Sequence, residues 1–454
     1  MISNFIGQLH HLLKFLVSNQ RGAGLARGGV GSLSLKLLHA GLTLLLAVLL
    51  ARLLGPTQYG IYSFAFALIT LLAVPLQMGL PLLLVRETAK GRARSDAKLV
   101  YGIWRWSVTI VLVGSVLVIL IGAILLFAGW RELSHATRWS FFWGLLVIPL
   151  IALGSLHGAA LRGLDRVVLG QLPDYVMRLG FLATILLLWW LWSQEFTAPR
   201  AMAFHVVAGA LALAISHIFL RRCRTAEIAS SNLEKWRPRS WLKSMLPLGF
   251  IAATQVINTR ADTLLLGLLT DAESVGLYQV AVQGAQAVAF GLGSINLVAA
   301  PHFAGLHEQR LKQKLQRLVT LSGRTVLLIA LLVVVSLVLS GEVLIMLIFG
   351  LEYRMAYLPL MILAVGQLAN AGFGLAGMLL TMTGHEIATA RGMALTAGLN
   401  IALNLVLIPI FGIGGAAAAT ALSMALLNLI LWKSARRLLD IDTLAFRRTQ
   451  SERV

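Results

Sequence analysis

Residues 31–76 read GSLSLKLLHAGLTLLLAVLLARLLGPTQYGIYSFAFALITLLAVPL, two long apolar runs joined by the short turn Gly55-Pro56. Each run has about the 20 apolar residues that a helix needs to cross the hydrocarbon core of a bilayer. Gly followed by Pro interrupts a helix, so the segment predicts a transmembrane hairpin. It decides the fold class, which we predict to be an all-α polytopic membrane protein.

The rest of the chain repeats this pattern. Apolar residues make up 58% of the 454 positions and charged residues 12%, with a mean hydropathy of +0.83. Such a composition leaves no room for a sizeable soluble domain. About twelve crossings are predicted, near 31–52, 60–85, 106–129, 141–161, 173–193, 201–220, 245–269, 276–301, 321–348, 355–382, 390–411 and 412–432, with a tight turn at Gly412 to Gly415 between the last two.

Positive charge orients the predicted helices. Cytoplasmic loops retain Lys and Arg, and 31 of the 38 basic residues fall on one side, which also holds both termini. The termini are therefore predicted to be cytoplasmic, and the net charge of +20 reflects topology and not nucleic-acid binding. Only Lys36 and Arg260 are expected within the hydrocarbon. The basic side comprises the termini and loops 86–105, 161–178, 221–244, 302–324 and 384–391.

The longest interior polar segment, residues 221–244, divides the predicted crossings into six and six. An internal repeat supports this division, because Gly60-Ile61-Tyr62 recurs as Gly276-Leu277-Tyr278 at an offset of about 215 residues. Parallel repeats of this kind are common in transporters. The predicted domains are an interfacial N-terminal segment 1–30, a six-helix bundle 31–220, a basic linker 221–244, a second six-helix bundle 245–433 and a cytoplasmic tail 434–454.

The stretch Leu53-Leu54-Gly55-Pro56-Thr57-Gln58-Tyr59-Gly60-Ile61-Tyr62 resembles the first hairpin of the polysaccharide-biosynthesis flippases, the Wzx-type members of the MOP superfamily. Arg260-x-Asp262, Leu264-Leu265-Leu266-Gly267 and Val275-Gly276-Leu277-Tyr278 add a second similarity. The resemblance implies a V-shaped pair of bundles around a central cavity. It also implies a bacterial inner-membrane protein that carries a polyprenyl-diphosphate-linked oligosaccharide to the outer leaflet by alternating access.

Two other functions stay open. A drug or small-molecule exporter of the same superfamily shares the span count, although it generally lacks the LGPxxYG turn. A membrane-embedded sugar polymerase or ligase would need a large outer loop or clustered acids, whereas the acids of the predicted outer connections are scattered. We therefore expect a transporter and not an enzyme. Its partners would be the glycolipid, membrane lipids and other polysaccharide-assembly proteins, and a monomer would suffice.

Two charged residues of the seventh crossing are candidate site residues. Arg260 lies near its middle, where an unpaired charge is costly, and a guanidinium suits a diphosphate. The alternative is a pairing with a carboxylate or carbonyls between helices. Asp262 shares a polar face with Asn258 at i, i+4 spacing and is a candidate for binding a coupling H⁺ or Na⁺. A buried acid that bonds another helix is its alternative.

Uncharged and peripheral candidates complete the predicted substrate site. Lys36, at the start of the first crossing, could bind phosphate or simply extend to the interface. The amides Gln279, Gln283 and Gln286 lie on one face of the eighth crossing and suit either a sugar or interhelical hydrogen bonds. Tyr62 and Tyr278 are expected to anchor the outer interface.

The sequence lacks the residues that several kinds of site would need. Cys223 is the single cysteine, and no GxxxxGK[ST] loop occurs, so no thiolate metal cluster and no direct use of ATP is expected. His157, His205 and His217 lack metal-ligand spacing and are expected to be satisfied structural residues. No cofactor or bound metal is predicted, apart from the coupling ion.

Overall fold

A computed structural model describes residues 23–129, 133–193, 195–224 and 238–446. Throughout these ranges the regular secondary structure is helical, and nine helices there are long and apolar enough to cross a membrane. The predicted all-α membrane fold is confirmed.

The first half of the chain forms seven helices, most of which run the length that a bilayer requires. The fifth and sixth are joined without a break by a single π-helical turn, Pro173–Met177. The helices are α1 (Ala23–Gln77), α2 (Leu80–Ala93), α3 (Ala97–Ala128), α4 (His135–Gly163), α5 (Val167–Leu172), α6 (Arg178–Trp192) and α7 (Ala198–Cys223).

The second half has the same plan. A 3₁₀ turn, Leu351–Ala356, precedes the fourth of its helices. They are α8 (Pro238–Leu269), α9 (Ala272–Glu308), α10 (Lys312–Ile348), α11 (Tyr357–Gly372), α12 (Ala376–Met382) and α13 (Glu386–Leu439).

Two helices contain the predicted turns. α1 has 55 residues and α13 has 54, each about 80 Å at 1.5 Å per residue and twice the depth of a bilayer. α1 changes direction at Gly55, with φ 71° and ψ 169°, and α13 at Gly412, with φ 54°. Positive φ values favour glycine, which explains the residue type at both turns. The turns are confirmed, whereas twelve crossings in two bundles stay a prediction.

The apolar cores show how the two halves meet. One core contains residues of both halves, among them Leu54 and Tyr62 of α1 and Val275 and Ala281 of α9. Toward the end of the molecule at which the basic connections lie, the halves have separate cores. We call the end with the shared core the outer end and the end with the basic connections the basic end. Among the described residues, the halves therefore share an apolar core at the outer end, and α8 makes further contacts with the first half.

The repeat-equivalent glycines Gly60 and Gly276 lie at the centre of the outer contact. A Cβ on Gly60 would overlap the carbonyl of Ala272, and one on Gly276 would overlap the carbonyl of Pro56. Each glycine would also bring its Cβ to within 3.2 Å of the backbone nitrogen of the other. The predicted internal repeat therefore places these two residues face to face.

α8 contacts both halves. Near its start, Trp241 is buried in the basic-end core of the first half and its ring centroid lies 5.2 Å from that of Trp106. About two turns further along α8, the backbone at Gly249 contacts that of Met78, which lies between α1 and α2. The rest of α8 packs against α13 and α1. Since α7 ends at Cys223 and α8 begins at Pro238, most of the predicted linker 221–244 lies outside the described residues.

The predicted tail is folded as far as the structure describes it. α13 continues to Leu439, and the next residues return to the bundle, where Thr443 Oγ1 donates to the carbonyl of Phe373 (2.7 Å) and Gln316 Nε2 to that of Asp442 (2.7 Å). Thr443 is fully buried. Residues 434–446 therefore belong to the second half, which corrects the prediction of a tail from 434. The rest of the tail, and residues 1–22 of the predicted interfacial segment, lie outside the described ranges.

Candidate functional site

Arg260 lies on α8 where that helix faces the first half. Its guanidinium carbon is 5.6 Å from the ring centroid of Phe66, and the guanidinium also interacts electrostatically with Tyr59 and Tyr62. Within the described ranges Arg260 forms no ion pair, and its side chain is partly exposed. The predicted alternative, a carboxylate partner on another helix, is absent from that part of the chain. A cation at this depth is available to an anionic ligand.

A second guanidinium approaches from the first half. Arg178 is the first residue of α6 and lies near the middle of the candidate crossing Val167–Trp192. Its Nη1 lies 3.2 Å from Nε2 of His205, while its Nε is buried without a hydrogen-bond partner. Arg178 was predicted to belong to loop 161–178, with only Lys36 and Arg260 in the hydrocarbon, whereas it lies inside a helix that is long and apolar enough to cross a membrane. The π turn before it explains the difference, because helix continues from α5 to α6.

An aromatic cluster separates the two cations. Phe66 stacks on His205 with ring centroids 5.0 Å apart, and Tyr62 Oη lies 2.8 Å from Nδ1 of His205. Because Arg178 donates to Nε2, the His205 proton is assigned to Nδ1 and donates to Tyr62. The Tyr62 hydroxyl hydrogen then remains free to bond another acceptor. We call Tyr62, Phe66, His205, Arg178 and Arg260 the two-arginine cluster.

Tyr62 and Tyr278 are not interface anchors. Tyr62 is 5% exposed and Tyr278 is 1% exposed, and each hydroxyl bonds the last crossing of its own half. Tyr62 bonds His205, and Tyr278 Oη lies 3.3 Å from Thr420 Oγ1. His205 and Thr420 are themselves separated by about the repeat offset. The sequence does not distinguish a tyrosine at the membrane interface from one whose hydroxyl forms a hydrogen bond inside the protein, because both occur near helix ends.

Asp262 occupies the inside of the second half. Its Oδ1 accepts from Asn404 Nδ2 (2.8 Å), and its Oδ2 accepts from Thr420 Oγ1 (2.5 Å) and from Tyr278 Oη (3.1 Å). The carboxylate is 8% exposed and also hydrogen-bonds Asn400. Oδ1 of Asn404 is buried without a partner. The carboxylate can bind a proton, and its oxygens, the two hydroxyl oxygens and the unpartnered amide oxygen of Asn404 are ligands of the kind that a hard monovalent cation prefers.

The remaining predicted residues lie apart from this carboxylate. Asn258 Nδ2 is 3.5 Å from the carbonyl of Met393, a long contact, and no bond joins Asn258 to Asp262 in the described residues. Gln279 is buried and donates to Thr263 Oγ1 (2.8 Å), which is the interhelical alternative. Gln283 is partly exposed, while Gln286 and Lys36 are exposed. Substrate contacts of these four side chains, and a role of Asn258 in binding the coupling ion, stay predictions.

A further acid, partly buried, lies in the first half. Asp174, in the π turn, interacts electrostatically with Arg178, Arg162 and His39. Gly154 leaves space for it, since a Cβ there would be 3.0 Å from Asp174 Oδ1. His39 Nδ1 bonds the carbonyl of Tyr175 (3.0 Å) and fixes the π turn to α1. The acid therefore offsets part of the positive charge of Arg178 and Arg162.

The sequence contained a signal for some of these residues. Arg178 follows Pro173 by five positions inside a predicted crossing, so its depth could have been read from the span limits. His205 and Phe66 carried no such signal, because a lone histidine or phenylalanine in an apolar run has no periodic partner.

Comparison with known proteins identifies the family. The family model described as "Polysaccharide biosynthesis protein" matches residues 25–307, more than half of the chain. The chain belongs to the polysaccharide biosynthesis protein family. The match spans α1, the two-arginine cluster and Asp262. It confirms the resemblance first seen in the LGPTQYGIY turn.

A curated relative and several solved structures agree with this family. The "Probable low-salt glycan biosynthesis flippase Agl15" of Haloferax volcanii is 29% identical over 168 residues, which cover 36% of this chain and 35% of the relative. The match thus spans about a third of that flippase.

Two solved transporters share the fold. An inward-facing multidrug resistance MATE transporter of the MOP superfamily gives a TM-score of 0.73 at 13% identity, covering 91% of this chain and 98% of its own. The lipid II flippase MurJ in an inward closed conformation gives 0.70 at 14% identity, covering 90% and 87%. This polysaccharide biosynthesis family member therefore has the fold of MOP-superfamily transporters.

Proposed function

We propose that this protein is a flippase that moves a polyprenyl-diphosphate-linked oligosaccharide from the cytoplasmic to the outer leaflet of a bacterial inner membrane. Both termini lie in the cytoplasm, and alternating access of one chain suffices. The family and the fold support a transporter of lipid-linked glycans. They support transport and not an enzymatic reaction.

The two-arginine cluster carries the proposal. Arg260 and Arg178 come from different halves and both interact electrostatically with Tyr62. A diphosphate is a compact dianion that planar guanidinium groups bind through paired N–H donors. Asp174 offsets part of the charge of Arg178, whereas Arg260 has no ion pair among the described residues, so an anionic ligand or a wet cavity would stabilise Arg260 at membrane depth. An uncharged or cationic drug would make poor use of these guanidinium groups.

The driving force is proposed to enter through Asp262. Its carboxylate lies among Asn400, Asn404, Thr420 and Tyr278 and binds a Na⁺ ion or a proton as the coupling ion. Asp262 is two residues from Arg260 but roughly 200° around the helix. An ion bound at Asp262 would therefore act on substrate through the position of α8 and not by direct contact.

Leaflet accessibility of the lipid-linked oligosaccharide tests the function. In cells depleted of this protein, an impermeant glycan-modifying probe should leave the precursor unmodified, and the wild-type gene should restore modification. Arg260→Gln should fail to restore it at equal expression. Arg354→Gln is the matched control, because Arg354 Nε bonds Glu342 (2.6 Å) and its side chain is 71% exposed.

The outcomes separate this function from its rival. Accumulated, inaccessible precursor supports the flippase. Normal outward exposure of the glycan in depleted cells would refute it and favour a small-molecule exporter, which drug sensitivity of the same cells would then reveal.

A further inference from the structure

A cavity lies in the first half, away from the two-arginine cluster. It has a volume of about 360 Å³ and lies at the basic end, where α3 begins and where α4 and α7 end. α4 packs against both α3 and α7 and contributes Leu156 and His157 to the cavity. The neighbouring helices supply its walls. The cavity is therefore a pocket over α4, bordered by α3 and α7.

The pocket walls are cationic. Arg105 of α3 and Arg221 and Arg224 at the end of α7 line it, together with His157 and His217. The two imidazole rings face each other with centroids 5.4 Å apart. Nδ1 of His157 is buried and has no hydrogen-bond partner, contrary to the prediction that this histidine is satisfied. An anion in the pocket would meet three guanidinium groups and an imidazole nitrogen that lacks a partner.

Apolar surface leads from the pocket toward the outer end. On α3, Leu112 and Val116 are about half exposed and continue the face that carries Arg105. On α7, Val207 is likewise exposed and lies on the face that carries Arg221. Exposed aliphatic side chains on membrane-crossing helices face lipid tails. The cationic pocket thus opens at the membrane interface onto lipid-facing helix surfaces.

We propose that this pocket binds the phosphate of an anionic membrane phospholipid in the leaflet at the basic end. The headgroup phosphate accepts hydrogen bonds from Arg221, Arg224 and His157, and the acyl chains follow the exposed aliphatic side chains of α3 and α7. Trp104, whose Nε1 donates to Thr88 Oγ1 (2.9 Å), lines the same pocket and provides an interfacial ring beside the headgroup. The site is independent of the substrate carried through the centre.

Native mass spectrometry of the full chain in detergent tests the site. The protein is titrated with phosphatidylglycerol and, in parallel, with zwitterionic phosphatidylcholine. Phosphatidylglycerol should bind with one tight site, and the affinity of that site should fall about fivefold in Arg221→Gln and in Arg224→Gln, since each interfacial cation contributes about this factor. His157→Phe should weaken it without a change of net charge.

Arg222→Gln is the matched control. It removes the same charge one residue away, from a side chain that does not line the pocket, and should leave the tight site unchanged. Thermal unfolding of each variant verifies that it is folded. Equal loss in Arg222→Gln and Arg221→Gln, or equal affinity for the two lipids, would overturn the proposal. Displacement of the lipid by inorganic phosphate at similar concentration would overturn it in favour of a free phosphate site.

Discussion

Gly60 and Gly276 face each other across the boundary between the two halves, backbone against backbone, at equivalent positions of the internal repeat. Neither position has space for a Cβ. Residues of both halves surround them in one continuous core. The outer end is therefore closed by contact between main chains, and this contact requires glycine at both positions.

Replacing Gly60 by Ala should open this contact. The added methyl group would overlap the carbonyl of Ala272, and overpacking of this kind costs about 1–3 kcal/mol. In a Cys223→Ser background, a cysteine placed at the buried Val275 should react faster with an impermeant maleimide when Gly60 is Ala. Gly41→Ala is the control, because no atom lies within 4 Å of a Cβ there. Equal reactivity in the two variants would contradict the prediction.

Arg178→Gln should reduce flipping about tenfold or more at equal protein level. It removes a charge-assisted donor to the diphosphate, worth about 1.5–3 kcal/mol, and the bond to His205 Nε2. The measurement is the rate at which the lipid-linked oligosaccharide becomes accessible in proteoliposomes. Arg200→Gln serves as the control, since Arg200 bonds Glu195 in an exposed ion pair of the same half. A full rate in Arg178→Gln would remove Arg178 from the site.

Asp262→Asn should uncouple transport while leaving the protein folded. The amide keeps one oxygen acceptor for Asn404 or Thr420 but loses the charge that binds an ion or proton. Flipping should then no longer respond to an imposed Na⁺ or pH gradient, whereas Glu195→Gln, in an exposed connection, should respond as wild type. A response that survives in Asp262→Asn would show that the coupling ion binds elsewhere.

Ending the chain after Leu439 should destabilise the second half by about 2–4 kcal/mol, the sum of several lost hydrogen bonds. These include Trp432 Nε1 to Asp442 (2.8 Å) and the Ala445 amide to the Gly372 carbonyl (3.1 Å). Thermal unfolding in detergent measures the change. A chain that ends after Phe446 keeps these bonds and should unfold at the wild-type temperature; an equal loss in both would contradict a docked segment.

Much of the fold followed from the apolar pattern. Runs of apolar residues predicted the helices, and Gly55 and Gly412 predicted the turns, because hydrophobic length and backbone freedom are local properties of the chain. Arg260 was found for a similar reason, since a charge in an apolar run is conspicuous.

The remaining site residues depend on tertiary contacts. Arg178 was assigned to loop 161–178 from its charge, although the predicted crossing 173–193 also contained it, and the π turn 173–177 shows that helix continues through this stretch. Asn404 and Thr420 reach Asp262 from α13 and lie more than 140 residues away along the chain. Such neighbours are set by packing between helices, which a single sequence does not encode locally.

The position of α8 gives the halves a mechanical connection. Its first turns are held beside Trp106 and Met78 of the first half, and its later turns are held by α13 of the second. If the halves rock against each other, α8 must bend, because its start is held by the first half and its later turns by the second. Arg260 lies beyond the part of α8 that contacts Trp106 and Met78. An anionic ligand that pulled on Arg260 would therefore bend α8 against the contacts that hold its start in the first half.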